Sequence, residues 1–402
     1  MHARILTVLV ALGAHSAPVD AKVIREDSLF ENVVSALSQR YFDETVRENL
    51  LPEIAARYRP QAAEARSLLE QRRVTTALLS NIPATHMGLL SKSSFERLTG
   101  ELRGDLRWTF GFELVEIDGK HYAHNVLEGG PAERAGLRRG DRVVLIDGES
   151  PQRSQRVDWR TDDAYLADPP THGLMCAKEE RIELRVEPAW GALEEIAIEA
   201  RKYSPLEAAK ASARVIERDG TRIGHIHFWM IHMTGVDTLL KSKLEGEFAD
   251  CDAVVVDLRG RGGNGMVIQR LVNILAGKES GWGKPVVALI NNYSRSAKEV
   301  IAYELRRQRI ATLVGERTAG AVIPATFQDV GFDTYLMFPT FKLNPYTDAL
   351  EGVGVEPHIV VQDAGPYSHG ADPVFDAGVA EASRRARAAG EDAAVGARVA
   401  AP

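Results

Sequence analysis

"LINNYSRSAKEVIAYEL", residues 289–305, decides how the second half of the chain is read. An apolar run, Val286 to Ile290, stops at Asn291, Asn292 and Tyr293. Ser294 and Ser296 follow, and from Ala297 onward apolar residues recur at helical spacing. A strand therefore hands over to a helix at two serines. A side chain at a helix N-terminus sits beside unpaired N–H groups and the positive end of the helix dipole. That arrangement suits the oxyanion of an acyl-transfer intermediate. The competing reading is structural, because serine is a preferred N-cap and Ser296 with Glu299 has capping-box spacing.

Working outward, "RIGHIHFW", "DAVVVDL", "PVVALI" and "RIATLVG" read as strands, with "MVIQRLVNILAG" and "SAKEVIAYELRRQ" as helices between them. Strand–helix alternation from residue 221 predicts a parallel-rich α/β layer fold. Val254-Val255-Val256 is the unbroken apolar run of a strand buried on both faces. In such folds the loops at the carboxyl ends of strands carry function. A second such loop is "VVVDLRGRGGNG", Val254 to Gly265, whose glycines allow close approach of backbone to a ligand. No GKS or GKT follows, which argues against a phosphate loop. A Gly-rich turn without function is the other reading.

Upstream, residues 105–200 become short β-like runs with turn signals. "TFGF", Thr109 to Phe112, enters a strand, and "GGPAERAGLRRGDRVVLIDG" reads as turn, short helix, turn and strand. This segment resembles a PDZ domain. The resemblance implies that the loop at Phe110, Gly111 and Phe112 offers backbone N–H groups to a peptide's terminal carboxylate, the peptide then adding as a strand. Residues 27–80 read as a helical packing layer, with Phe30, Val33, Val34, Leu37 and Tyr41 on one stripe. The Ala/Gly-rich tail from about residue 366 reads as one helix followed by disorder.

Taken in order, "DLRGRGG", "SRSAKE", "TLVGERTAG" and "LEGVGVEPHIVV" resemble the S41 serine peptidases, which include C-terminal processing proteases and tricorn-core proteases. The resemblance implies a ClpP/crotonase-like α/β catalytic core with Ser296 as nucleophile. It places the oxyanion hole at Ala297 and at Gly263 and Asn264 of the Gly-rich loop, with Asn264 standing where a glycine is usual. Processing proteases use a lysine after the T-x-G motif, and this chain has Ala321 there. Lys298, two residues beyond Ser296 on the same helix, is expected to point away from the serine into solvent. The tricorn-like branch supplies another base. "NIPATHMGLLSKSSFERL" maps His86 to that role, and Glu351 in "LEGVGVEPH" is the matching carboxylate. With an ordinary imidazole pKa, the rate would rise between about pH 6 and 8. His225 and His227, with His232 nearby, form an H-x-H pattern that lacks a third ligand cluster for a metal site. His358 replaces the aspartate of the related "GVxPD" signature.

Composition sets the limits. The chain has 402 residues, 45% apolar and 26% charged, enough for several globular units. A net charge of −7 argues against nucleic acid as a partner. No apolar run is long enough to span a bilayer. "MHARILTVLVALGAHSAPVDAK" resembles a short secretory signal cleaved after Ala21, which predicts a secreted or periplasmic location. Two cysteines, Cys176 and Cys251, make no disulfide framework.

The reading is a multidomain α/β chain. A signal spans 1–21 and a helical segment carrying the base spans 22–100. A PDZ-like β-rich domain spans 101–202, the catalytic core 203–365, and a helix and tail 366–402. The resemblance implies a serine endopeptidase acting on polypeptide substrates, with PDZ-like recognition of peptide termini and no cofactor. The alternative is a catalytically inactive peptide-binding protein on the same frame, motivated by the missing lysine.

Overall fold

Val254 and Val256 face one side of their strand, and Ala253 and Val255 the other, because side chains alternate along an extended chain. Both sides are covered, so every residue of Ala253–Asp257 is buried. The structure is a computed structural model that describes residues 28–158, 170–189 and 191–399. The export signal expected at residues 1–21 lies outside the described residues.

Thr221–His227, Ala253–Asp257, Val286–Ile290, Ala311–Gly315 and Ile359–Val360 run parallel in that spatial order. Arg214–Arg218 joins the first edge antiparallel. Helices Val236–Glu245, Ile268–Leu275 and Ala297–Arg307 cover one face through Leu240, Leu244, Leu271, Leu275, Ile301 and Leu305. The C-terminal helix Pro373–Val399 covers the other with Val374, Val379, Ala382 and Ala386. Short parallel strands joined by helices force the loops that leave the carboxyl ends onto one rim, where the Gly-rich loop and the two serines meet.

Helices Leu29–Arg40, Leu51–Glu64 and Leu68–Leu79 do not stand alone. Their apolar stripe shares a core with Leu89, Leu336 and Phe338 of a small sheet. In that sheet Gly88–Ser91 pairs antiparallel with Thr334–Pro339, which pairs in turn with Ala325–Asp329. Arg72 Nη1 donates to Thr334 Oγ1 and Asn32 Nδ2 to Val330 O, tying helices to sheet through buried contacts. The strand at Gly88 was not anticipated from the sequence. Four residues are too few to show a period of two, and the partner strand lies far downstream.

A six-stranded antiparallel sheet forms the PDZ-like part, in the order Thr171–Gly173, Phe112–Ile117, Lys120–Val126, Arg142–Ile146, Arg181–Glu187, Glu194–Glu199. The short helix Pro131–Arg134 begins at the Gly-Gly-Pro turn, where proline at the first helical position has no N–H to leave unpaired. Among the described residues, no helix is long and apolar enough to cross a membrane.

Candidate active site

Ser296 is the residue at which strand Val286–Ile290, after a short turn, enters helix Ala297–Arg307. Its φ is 55° and its ψ −121°, a region that costs an L-residue about 1–3 kcal/mol and persists only when neighbours enforce it. Its N–H is shared between Ala321 O at 2.7 Å and Glu299 Oε2 at 3.1 Å. Glu299 also accepts from Thr318 Oγ1 (2.6 Å), Gly320 N (2.7 Å) and Ala321 N (2.7 Å). One buried carboxylate thus clamps the 318–321 loop to the turn that presents the serine. Burial raises its pKa, and these hydrogen bonds oppose the rise. Ala321, at the position where a lysine was sought, serves through its backbone.

Replacing Glu299 by alanine would leave the Thr318, Gly320 and Ala321 donors unpaired. At about 1–3 kcal/mol for each stranded donor, the loss should exceed ~3 kcal/mol in urea unfolding. A loss below ~1 kcal/mol would show that the turn is held by something else. Ser294 has a different role. It is fully buried; its Oγ donates to Leu258 O at 2.8 Å and accepts from Asn291 N at 3.1 Å. It is a structural tie under the turn.

The Gly-rich loop is held from behind by its arginines. Arg259 makes paired contacts with Asp257 (Nη2–Oδ2 2.6 Å) and with Asp372 of the tail (Nη1–Oδ1 2.8 Å, Nη2–Oδ2 2.7 Å). Arg261 bonds Glu101 at 3.1 Å and also contacts Glu113 of the PDZ-like sheet. With these side chains anchored, the loop is fixed beside the serine turn. A Cβ on Gly262 would lie 2.8 Å from Ser296 Cβ and 2.7 Å from Arg295 O, so only glycine fits. Gly263 has φ +147°, and a Cβ there would lie 2.3 Å from Ile231 O. The N–H groups of Gly263 and Ala297 have no hydrogen-bond partner among the described residues. The backbone of Asn264 corrects the expected oxyanion hole. Its N–H donates to Ile231 O at 2.7 Å, because the loop pairs there as a parallel bridge, and it is not available to a ligand.

His86, Ser296, Gly262, Gly263, Asn264 and Ala297 all line one cavity of about 610 Å³. His86 comes from the turn before strand Gly88–Ser91, so the pairing of that strand with Thr334–Pro339 carries it to the rim. Glu351 does not bond the imidazole directly. Its Oε1 accepts from Thr85 Oγ1 at 2.6 Å and from Thr85 N at 3.1 Å, and its Oε2 from Val322 N and Ile323 N at 2.9 Å each. Thr85 Oγ1 lies 3.2 Å from His86 Nδ1. The threonine hydroxyl has one proton and gives it to the carboxylate, so toward the ring it can only accept. That selects the tautomer with the proton on Nδ1 and leaves Nε2 as the basic nitrogen. Thr85 was missed by sequence reasoning, although its place beside His86 was the signal.

Burial, and secondarily the Arg295 charge, lowers the His86 pKa to about 3. The expected rise in rate between pH 6 and 8 is therefore displaced downward, since the imidazole is already neutral at pH 5. Burial likewise lowers His225 to about 4. Both groups sit below their unfolded value of about 6.5. Their stabilising contribution is complete above pH 6.5 and shrinks as pH falls toward 4, where the unfolded chain binds protons the folded chain refuses. Each contributes a slope of about 1.4 kcal/mol per pH unit. Urea midpoints should drop steadily from pH 7 to 5; a flat profile would show these imidazoles to be hydrated.

Other expectations need correction. Lys298 is not in solvent: it is fully buried, its Nζ donating to Arg259 O at 2.7 Å and Trp229 O at 3.1 Å. The helix turns it inward beneath the Gly-rich loop, and desolvation lowers its pKa to about 7. His227 bonds Glu128 at 2.7 Å, His232 bonds Glu101 O at 2.6 Å and His225 bonds Ser212 O at 3.3 Å, so the three histidines have separate protein partners. His358 Nδ1 accepts Leu313 N at 2.9 Å, a strand-edge contact. Cys176 and Cys251 are both free thiols.

Phe110 and Phe112 turn their rings into the core of the PDZ-like sheet, and Gly111 N donates to Thr109 Oγ1 at 2.9 Å. The strand edge that a peptide was expected to join is already occupied. Thr171–Gly173 pairs antiparallel with it, Gly173 opposite Glu113 and Thr171 opposite Val115. Thr171, His172 and Gly173 also form a wall of the Ser296 cavity.

Residues 269–361 match Peptidase family S41, and residues 123–160 match the PDZ domain. Part of the α/β core is thus similar to peptidase family S41. The chain is 26% identical over 215 residues to the carboxyl-terminal-processing protease of Synechocystis sp., an alignment covering 48% of each chain. It is 27% identical over 183 residues to the tricorn protease of Thermoplasma acidophilum, covering 40% of this chain and 17% of that one. The chain thus spans about half or less of these curated relatives. In three dimensions it resembles the photosystem II D1 C-terminal processing protease, with a TM-score of 0.51 at 16% identity over 83% of this chain and 92% of that one. That likeness establishes a shared fold: helices, PDZ-like sheet and α/β core.

Proposed function

We propose that the chain is a serine endopeptidase that hydrolyses peptide bonds of protein substrates. One observation carries the reading: a hydroxyl on a strained turn, a neutral imidazole and two N–H groups unpaired among the described residues line a single cavity. His86 Nε2 takes the Ser296 proton as Oγ bonds to the scissile carbonyl carbon. The carbonyl electrons move onto oxygen, where the N–H groups of Gly263 and Ala297 receive the charge. The intermediate collapses, the C–N bond breaks, and His86 returns the proton to the leaving amine. Water repeats the sequence on the acyl-enzyme. During both steps the imidazolium donates from Nδ1 to Thr85, whose hydroxyl is polarised by Glu351. The carboxylate acts through that dipole.

Leu90, Leu98, Met230, Phe327 and Met337 among the cavity walls favour apolar substrate side chains. Recognition of peptide termini at the Phe110–Phe112 turn by strand addition competes with the resident strand Thr171–Gly173. Terminal recognition therefore contributes little until that strand is displaced. A fluorophosphonate probe tests the proposal: labelling of Ser296 at pH 7, with cleavage of an unstructured protein, is expected. Absence of both at every pH would instead favour the inactive peptide-binding alternative.

A further inference from the structure

We propose that the side-chain amide of Asn264 is a third hydrogen-bond donor to the reacting carbonyl, in place of the backbone N–H that the loop cannot offer. The proposal rests on the endopeptidase reading of the cavity. Asn264 is 2% exposed, follows Gly263 directly, and lines the cavity that holds Ser296. Its amide orientation is determined: Oδ1 accepts Met266 N at 2.8 Å, which caps the short helical turn Gly265–Val267. The nitrogen must then be on the other side. Nδ2 is buried and has no hydrogen-bond partner among the described residues.

A buried NH₂ without an acceptor is costly, by about 1–3 kcal/mol, and native proteins keep few of them. Asn264 lines the cavity, so an acceptor entering beside Gly263 is the group that can satisfy this donor. The acceptor that enters this cavity is a peptide carbonyl, and the one that approaches Gly263 is the carbonyl under attack. As Oγ–C forms and the carbonyl electrons pass to oxygen, the charge grows at the point where a neutral N–H donor gains most. A glycine at this position, the residue expected from the resemblance, has no such donor. With its backbone N–H bonded to Ile231 O, position 264 can assist only through a side chain. The asparagine therefore restores a donor rather than merely occupying space.

The full chain is assayed on a fluorogenic peptide, alongside the rate of fluorophosphonate inactivation. Asn264→Asp keeps the oxygen that caps Met266 and removes the donor. Asn264→Gly removes both, and Asn264→Ala controls for volume. Each variant should lose kcat by roughly 10²-fold or more with KM changed by less than about threefold, the signature of an interaction made in the transition state. Unfolding midpoints identify a variant that fails through instability, and Asn264→Asp guards against loss of the cap. An unchanged kcat in Asn264→Gly, or a rise in KM alone, would overturn the proposal. If wild-type Ser296 does not react with the probe, the endopeptidase reading itself has failed. If it reacts while all three variants keep wild-type kcat, only the role of Asn264 has.

Discussion

Replacing Ser296 by alanine is expected to lower kcat by roughly 10⁴- to 10⁶-fold and to abolish fluorophosphonate labelling. The magnitude follows from the nucleophile's place in every step: without Oγ there is no acyl-enzyme, and what remains is substrate held near oxyanion donors. The variant should fold normally, since the turn is held through the Ser296 backbone and Glu299, and alanine keeps that backbone. Ser294→Ala makes the contrast. It should keep labelling and most activity while losing about 1–3 kcal/mol of stability, because removing its hydroxyl unpairs the buried Leu258 O and Asn291 N. If Ser296→Ala retained more than about 1% of the wild-type rate, or if Ser294→Ala alone lost labelling, the nucleophile has been misplaced.

His86→Ala should cost roughly 10⁴-fold in kcat, since the serine would lose its base and the leaving amine its acid. The informative partner is Thr85→Val, which keeps shape and removes the hydroxyl between imidazole and Glu351. It should cost roughly 10²-fold or more, because the ring is then free to adopt the wrong tautomer and the imidazolium loses its acceptor. Thr85→Ser should restore most of the rate, which a merely structural role for the methyl group would not explain. The wild-type pH profile carries the same logic. With His86 lowered to about 3, kcat/KM should hold its plateau down to about pH 5 and fall only below it. A Thr85→Val variant with unchanged kcat would remove the threonine from the mechanism. A profile that climbs only at alkaline pH would remove His86 from the role of base.

Much of the core was legible because its strands are buried on both faces, and apolar runs such as Val286–Ile290 have no other comfortable place. The serine turn and the Gly-rich loop were legible for a related reason: sharp turns and close approach demand particular residues, and Gly262 and Gly263 tolerate no Cβ. Lys298 was misread because local helix geometry gives a direction relative to Ser296 and says nothing of what packs behind the helix. The peptide edge of the PDZ-like sheet was misread because its occupant, Thr171–Gly173, is too short to announce itself.

Chemistry-bearing residue types at strand ends, the alternation of strand and helix, and the need for glycine beside Ser296 all follow from the order of residues, because each is imposed by neighbours along the chain. Which base meets which hydroxyl does not. His86 reaches the rim because Gly88–Ser91 pairs with Thr334–Pro339, and Thr85 meets Glu351 across 266 positions of the chain. Those are contacts between segments far apart in sequence, stabilised by a shared apolar core, and no local pattern records the partner across that gap.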